Sequence, residues 1–180
     1  DCTISDEGAV SELDAPVAGD PEAGVTLTVF EDFACPHCRD YHLDVLPTIW
    51  AEYVETEQIR YEHRDLPIPV SQRWSWWVAS AARGVQDTVG DAAFFEFAST
   101  AFERQSDYSM SMLAEAAASV DADPCATQND AANEVYRPVL EADRSLAQEV
   151  GVDGTPETVV NGEFVDSNVA AISAAIASNL

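Results

Sequence analysis

Cys35 and Cys38 stand three positions apart, with Pro36 and His37 between them. Two thiols at that spacing can close a small redox-active ring, clamp a metal ion or form a structural disulfide. The run 25–30, VTLTVF, is β-branched and apolar and follows Gly24, as a buried strand requires. Pro36 then suits the first turn of a helix, where its missing N–H has no partner to lose. Cys35 therefore falls at a helix N-terminus, where unpaired N–H groups and the helix dipole favour an anion. Its thiolate is stabilised, which makes Cys35 the expected nucleophile and a good leaving group. Cys38 lies one turn further in and is the expected resolving thiol. A protonated His37 beside Cys35 favours the thiolate further, and stabilising the dithiol makes the disulfide a stronger oxidant.

A metal clamp competes for the same residues. Structural Zn²⁺ takes four ligands, and Cys35, Cys38, His37 and His42 are close in sequence. There is no second C-x-x-C, and the proline-led helix start suits redox chemistry. No metal ligand and no cofactor is assigned, and Cu or Zn binding for delivery stands as an alternative function. His42 and His63 read as ordinary surface or packing histidines.

The second chemical signal is Gly154-Thr155-Pro156, just before a strand. An X-Pro bond is the one place where a cis peptide is cheap, and such a bond usually shapes a tight turn. Neighbouring backbone is then free to pair with an extended peptide.

The rest of the chain supplies the frame. Tyr41, Val45, Ile49 and Tyr53 recur at helical spacing, so the helix is expected over about 36–56, kinked at Pro47. Residues 58–64 alternate and read as a second strand, ended by Pro67 and Pro69. A helix joining two strands makes them a parallel pair. Residues 71–150 read as helices. Trp74, Trp77, Val78, Ala81 and Ala82 share one face, with Trp76 off it and available to an apolar peptide groove. Asp91 is expected to cap a helix through Phe94, Phe95, Phe97 and Phe102. A helix over 129–150 is expected to kink at Pro138. Strands resume at 157–160 and 163–165 around Asn161-Gly162, a strong hairpin signal, and 170–180 closes as a helix.

Composition bounds the setting. The chain has 180 residues, 47% hydrophobic, enough for one domain with an insertion. No stretch approaches the roughly 20 apolar residues that span a bilayer, and a removed export signal is the expectation for its start. The 33 acidic residues face 8 basic ones, all Arg, for a net charge of -25. Nucleic-acid binding is disfavoured, since no basic patch exists to release counterions. The acid excess with no Lys resembles proteins of halophilic archaea. At about 1 M salt the Debye length shrinks to about 3 Å, and a surface of like charges stops repelling itself.

Residues 30–38, FEDFACPHC, resemble the active-site segment of DsbA-like thiol-disulfide oxidoreductases of the thioredoxin fold. Thr155-Pro156 with its hairpin resembles that family's cis-proline loop, and 63–67 with the helical block resembles its second strand and inserted helical domain. The resemblance covers about 25–180. It implies a thioredoxin-like α/β fold divided into a flexible acidic tail (1–24), a first half with CPHC (25–70), an inserted helical domain (71–133) and a second half with the cis-proline loop (134–180). It implies that Cys35, Pro36, His37 and Cys38 are catalytic, and that Thr155 and Pro156 meet substrate. The activity implied is introduction of disulfides into secreted proteins outside the cytoplasm, with reduced proteins as substrates and a membrane quinone-linked oxidase as redox partner. A reductase or isomerase on the same scaffold is the alternative within the class. One departure stands out. Many such enzymes bury an acid about six positions before the first Cys, and here that position is Val29. Glu31 and Asp32 are nearer but read as surface acids.

Cys2 and Cys125 admit three readings. They form a structural disulfide, or Cys2 carries a lipid anchor with 3–24 as tether, or both are free. The first two exclude each other.

Overall fold

The computed structural model describes every residue except Asp1, Glu7 and Pro69. The strand-ending role read for Pro69, and the parts of the leading segment at Asp1 and Glu7, lie outside the described residues.

The centre is a five-stranded sheet in the order β1-β3-β2-β4-β5. The strands are β1 (Val17–Gly19), β2 (Thr26–Glu31), β3 (Arg60–Asp65), β4 (Glu157–Val160) and β5 (Glu163–Val165). β2 and β3 run parallel with Glu31 beside Asp65, β4 runs antiparallel to β2, and β5 returns from β4. The return turn holds Asn161 at φ 47° and Gly162 at φ 85°, the left-handed pair that an Asn-Gly hairpin favours.

The helix after the cysteines runs from Pro36 to Val54 in four pieces. These are α1 (Pro36–Asp40), a π-helical turn (Tyr41–Val45), α2 (Leu46–Ile49) and a second π turn (Trp50–Val54). Pro47, expected to kink one helix, lies between two widened turns that re-register the ladder its missing N–H interrupts. This helix and α8 (Val169–Asn179) bury Tyr41, Leu46, Ile49, Ile172 and Ile176 with Val25, just before β2, and Leu27 and Val29 of the sheet. The helical block comprises α3 (Trp74–Thr88), α4 (Asp91–Glu103), α5 (Met110–Ala118), α6 (Pro124–Ala132) and α7 (Arg137–Val150). Its core joins Val78, Ala82, Phe94, Phe97, Phe102 and Leu113 to Phe33, Cys35 and Cys38. The cysteine loop is thus built into the hydrophobic core of the helical block.

Several local expectations are corrected. Residues 1–24 are not a loose tail throughout. β1 pairs antiparallel with β3, Ala15 and Pro16 are buried, and Val10 N–H bonds the Val135 carbonyl at 2.8 Å. The open side of β3 offers unpaired backbone, and a three-residue strand satisfies it. Asp91 is not the cap but the first residue of α4. Gly90 holds the cap position at φ 130°, and the Asp91 carboxylate accepts from Val17 N–H and from Gln86 instead. Pro138 lies in the first turn of α7, as its second residue, rather than kinking a longer helix, because α6 has ended at Ala132 and proline is suited to a first turn. Trp76 lies against Arg137, whose guanidinium carbon is 3.9 Å from its ring centroid, with Arg144 at 5.4 Å. That ring packs on two cations rather than lining an apolar groove.

Candidate active site

Cys35 is the N-cap of α1 and Pro36 its first residue. The approach from β2 is fixed by Asp32. Its Oδ1 accepts from Ala34 N–H at 2.8 Å, and its backbone carbonyl accepts from Cys35 N–H at 3.0 Å. Its Oδ2 accepts from Ile68 N–H at 2.9 Å and from the Ser75 hydroxyl at 3.0 Å. From the helical block, Gln105 Nε2 donates to the carbonyls of Phe33 and Cys35, both at 2.9 Å, and Tyr108 donates to Phe33 at 2.7 Å. The loop that presents Cys35 is therefore held from both halves of the molecule.

The two thiols are free and buried, and their environments push them in opposite directions. Cys35 is brought down to about 5. The largest cause is the hydrogen bond from the Cys38 thiol, which outweighs burial. Thr155 and the backbone N–H groups of Cys38 and His37 add to it. Cys38 is pushed far above the ordinary thiol range, first by burial, then by its bond to Cys35 and by the charge of Glu31. His37 contributes through its backbone N–H, while its imidazole is on the exposed surface. Facing the pair, the Thr155–Pro156 peptide bond is cis, and the Thr155 carbonyl lies 3.6 Å from Cys35 Sγ. Thr155, Pro156, Cys35 and Cys38 thus meet at one place although some 120 residues separate the two segments.

Glu31 and Asp32 are not surface acids: each is 1% exposed. Glu31 supplies a buried acid two residues beyond Val29, on the same face of β2. Burial raises its pKa, but His42 and His63, both bonded to Oε2, together hold it below its ordinary value. Asp32 is raised to about 6 by burial, against its hydrogen bonds. His42 and His63 are likewise partners of Glu31 rather than plain packing residues. His63 also bonds Asp65 at 2.9 Å, and Asp65 bonds Arg83 Nε at 2.8 Å. The fully buried Arg83 continues to Asp143 at 2.6 Å. This line of alternating charge crosses from the sheet into the helical block. Burial works against a charged His63, yet Asp65 and Glu31 raise it to about 9.

Cys2 and Cys125 are joined as a disulfide across a sequence separation of 123, with Cα atoms 5.2 Å apart. With its sulfur in that bond, Cys2 has none left for a lipid thioether, which corrects the anchor reading. Among the described residues no group of three or more His, Cys, Asp and Glu is placed to hold a metal. His42 Nε2 is engaged by Glu31.

A family profile described as Thioredoxin matches residues 11–178. The chain belongs to the thioredoxin family. It is 23% identical over 156 residues to disulfide bond formation protein D of Bacillus subtilis, covering 83% of this chain and 69% of that protein. The oxidised crystal structure of BdbD from Bacillus subtilis superposes with a TM-score of 0.84 at 23% identity, over 96% of this chain and 98% of that one. DsbA of Chlamydia trachomatis does so with a TM-score of 0.79 at 19% identity, over 97% and 96%. The thioredoxin-like α/β fold with its inserted helices is the one expected, and the relatives support a disulfide oxidoreductase.

Sequence reasoning missed Glu31, His42 and His63 as a unit, and Gln105 and Tyr108 altogether. The alternation of 58–64 places His63 on the same strand face as Tyr61 and Asp65, which was the available signal.

Proposed function

We propose that this chain introduces disulfides into exported proteins by exchange through Cys35 and Cys38. The supporting observation is the opposed pair itself, a Cys35 thiol lowered to about 5 beside a buried Cys38 raised well above its ordinary range, under the Thr155 carbonyl. In the oxidised enzyme a substrate thiolate attacks Cys35 Sγ, the Cys35–Cys38 bond breaks, and Cys38 leaves with the electron pair and takes up a proton. A second substrate thiolate then attacks the substrate sulfur of the mixed disulfide. Cys35 leaves as a stabilised thiolate, and the substrate carries the new disulfide. Glu31, the buried acid whose charge acts on Cys38, is the group proposed to exchange that proton.

Extracytoplasmic work is supported by the Cys2–Cys125 bond, since such bonds persist in oxidising compartments. Reduced proteins are the proposed substrates, and a membrane quinone-linked oxidase the proposed re-oxidant. Work at high salt, as in halophilic archaea, is proposed from the charge of -25 and the absence of Lys.

The test is equilibration with glutathione buffers at about 1 M salt, followed by alkylation and mass spectrometry of the Cys35–Cys38 peptide. A potential near about -120 mV fits a thiol oxidase, whereas one near about -270 mV makes the protein a reductant and overturns the proposed direction.

A further inference from the structure

Glu31 holds two imidazoles on one oxygen. Its Oε2 is 2.9 Å from His42 Nε2 and 3.2 Å from His63 Nδ1. Its Oε1 is also buried and has no hydrogen-bond partner among the described residues. The two histidines differ in what lies behind them. His63 is 2% exposed, and its other nitrogen is taken by Asp65, behind which stands the buried Arg83. That branch runs on through arginine–carboxylate pairs, Arg83 to Asp143 to Arg64, whose guanidinium groups keep their protons. The His42 side chain is 7% exposed and reaches the wall of a groove of about 650 Å³ between β1, the first helix and α4. Leu46, Trp50 and Phe95 line the groove, and Glu55 and Glu96 stand on it. Phe102 stacks on the imidazole at a centroid distance of 4.0 Å and Tyr41 meets it edge-on at 5.8 Å, which fixes the ring plane.

Cys38 needs such an outlet. It is 0% exposed, so its proton cannot pass directly to water. During the step that uses it, the mixed disulfide on Cys35 occupies the substrate side. The hollow on that side, lined by Ala34, Arg39, Trp74, Gln105 and Tyr108, shares no residue with the groove at His42.

We propose that Glu31 and His42 form the proton path of Cys38, leading out to the groove at Leu46, Trp50 and Phe95 rather than past the bound substrate. This rests on the exchange reading above and adds His42 as a positioning and proton-carrying residue. In ring closure the Cys38 S–H proton passes to Glu31 and leaves by His42. The electron pair left on Cys38 attacks Cys35 Sγ, the Cys35–Cys38 bond forms, and the outer thiol departs with the pair of the bond that breaks. In the reverse direction His42 brings the proton in. The groups facing Glu31 are Cys38, Tyr41 and His42 from the helix and Tyr61 and His63 from β3, with Asp65 behind His63. Those facing His42 are Glu31 and, across the groove, Glu55 and Glu96.

The experiment mixes fully reduced protein with dithiobis(nitrobenzoate) and follows release of the coloured thiol in stopped flow. The first phase is attack by Cys35, and the second is ring closure by Cys38, an assignment fixed by its loss in Cys38→Ala. In His42→Ala the ratio of second- to first-phase rate falls by about 10- to 100-fold. Free imidazole, entering by the groove, restores the ratio in proportion to its concentration. In His42→Phe, where the ring fills the space, the ratio falls as far and imidazole restores nothing. An unchanged ratio in His42→Ala, or a lowered ratio that ignores imidazole, overturns the proposal. Absence of both phases in the unsubstituted protein overturns the exchange reading itself and removes the step on which this path depends.

Discussion

The molecule holds two cysteine pairs made in opposite ways. Cys35 and Cys38 are neighbours in sequence, buried, and governed by local electrostatics: a thiol hydrogen bond, backbone N–H groups and the charge of Glu31. Cys2 and Cys125 are 123 residues apart, and Cys125 is exposed. What governs that pair is chain topology, because joining such distant points removes a large share of the unfolded chain's freedom. The pair that is close in sequence is the one left free, and the pair far apart in sequence is the one joined. Cysteine count alone does not distinguish them, whereas surroundings do.

The largest expected effect lies in the near pair. Cys35→Ser abolishes exchange with glutathione disulfide, and Cys38→Ser lets mixed disulfides accumulate that mass spectrometry of acid-quenched samples will detect. If Cys38→Ser turned over normally, the assignment of attacking and resolving sulfur would be wrong. In the far pair the loss is of stability, not chemistry. Replacing Cys2 and Cys125 by Ser is expected to cost about 4–5 kcal/mol by the loop-entropy relation, or about 10 °C in Tm for a chain of this size. Exchange rates at low temperature stay as they were. An unchanged Tm would mean that the segment before β1 is held without the bond.

A third expectation concerns pH. Cys35 titrates in the folded dithiol near 5 but in the unfolded chain near the ordinary 9. A depressed pKa stabilises above it, so the dithiol form gains on the disulfide form as pH rises from about 5 towards 9. His63 acts in the opposite sense. Its pKa is raised from 6.5 to about 9, so its contribution is complete below 6.5 and is lost as pH passes 9. Melting curves of both redox forms from pH 5 to 10 should show the oxidised protein weakening at the alkaline end while the gap to the reduced form widens up to about 9. Parallel curves for the two forms would remove the thiolate argument. The smallest effect belongs to Tyr108→Phe. It deletes the bond to the Phe33 carbonyl behind Cys35 and should cost about 1–2 kcal/mol, read as a small fall in Tm with the far pair untouched.

The near pair was legible because spacing, Pro36 and the preceding strand all lie within a dozen residues. The hairpin at Asn161-Gly162 and the parallel pairing of β2 and β3 followed from equally local signals. β1 was not legible: Val17-Ala18-Gly19 has no periodicity of its own and becomes a strand only because β3 has a free side. The acid of the site was misplaced for a related reason. A carboxylate at position 31 looks like any other in a chain with 33 of them. Its burial is set by His63, 32 residues away, and by His42, which the first π turn places beside it. Arg83 joins Asp65 and Asp143 across the boundary between sheet and helical block, a contact that no local window contains.

The position of β1 has a consequence wherever salt is concentrated. When ions screen the negative surface, mutual repulsion no longer keeps copies of the chain apart. Six-residue β3 would then offer a long open ladder to any neighbour. β1 covers part of it, and both outer strands of the sheet are three residues long. Short, occupied margins are a defence against self-association that salt cannot weaken. The bond from Cys2 to Cys125, by tethering the segment that leads into β1, ties colloidal solubility to the oxidised state of the protein's surroundings.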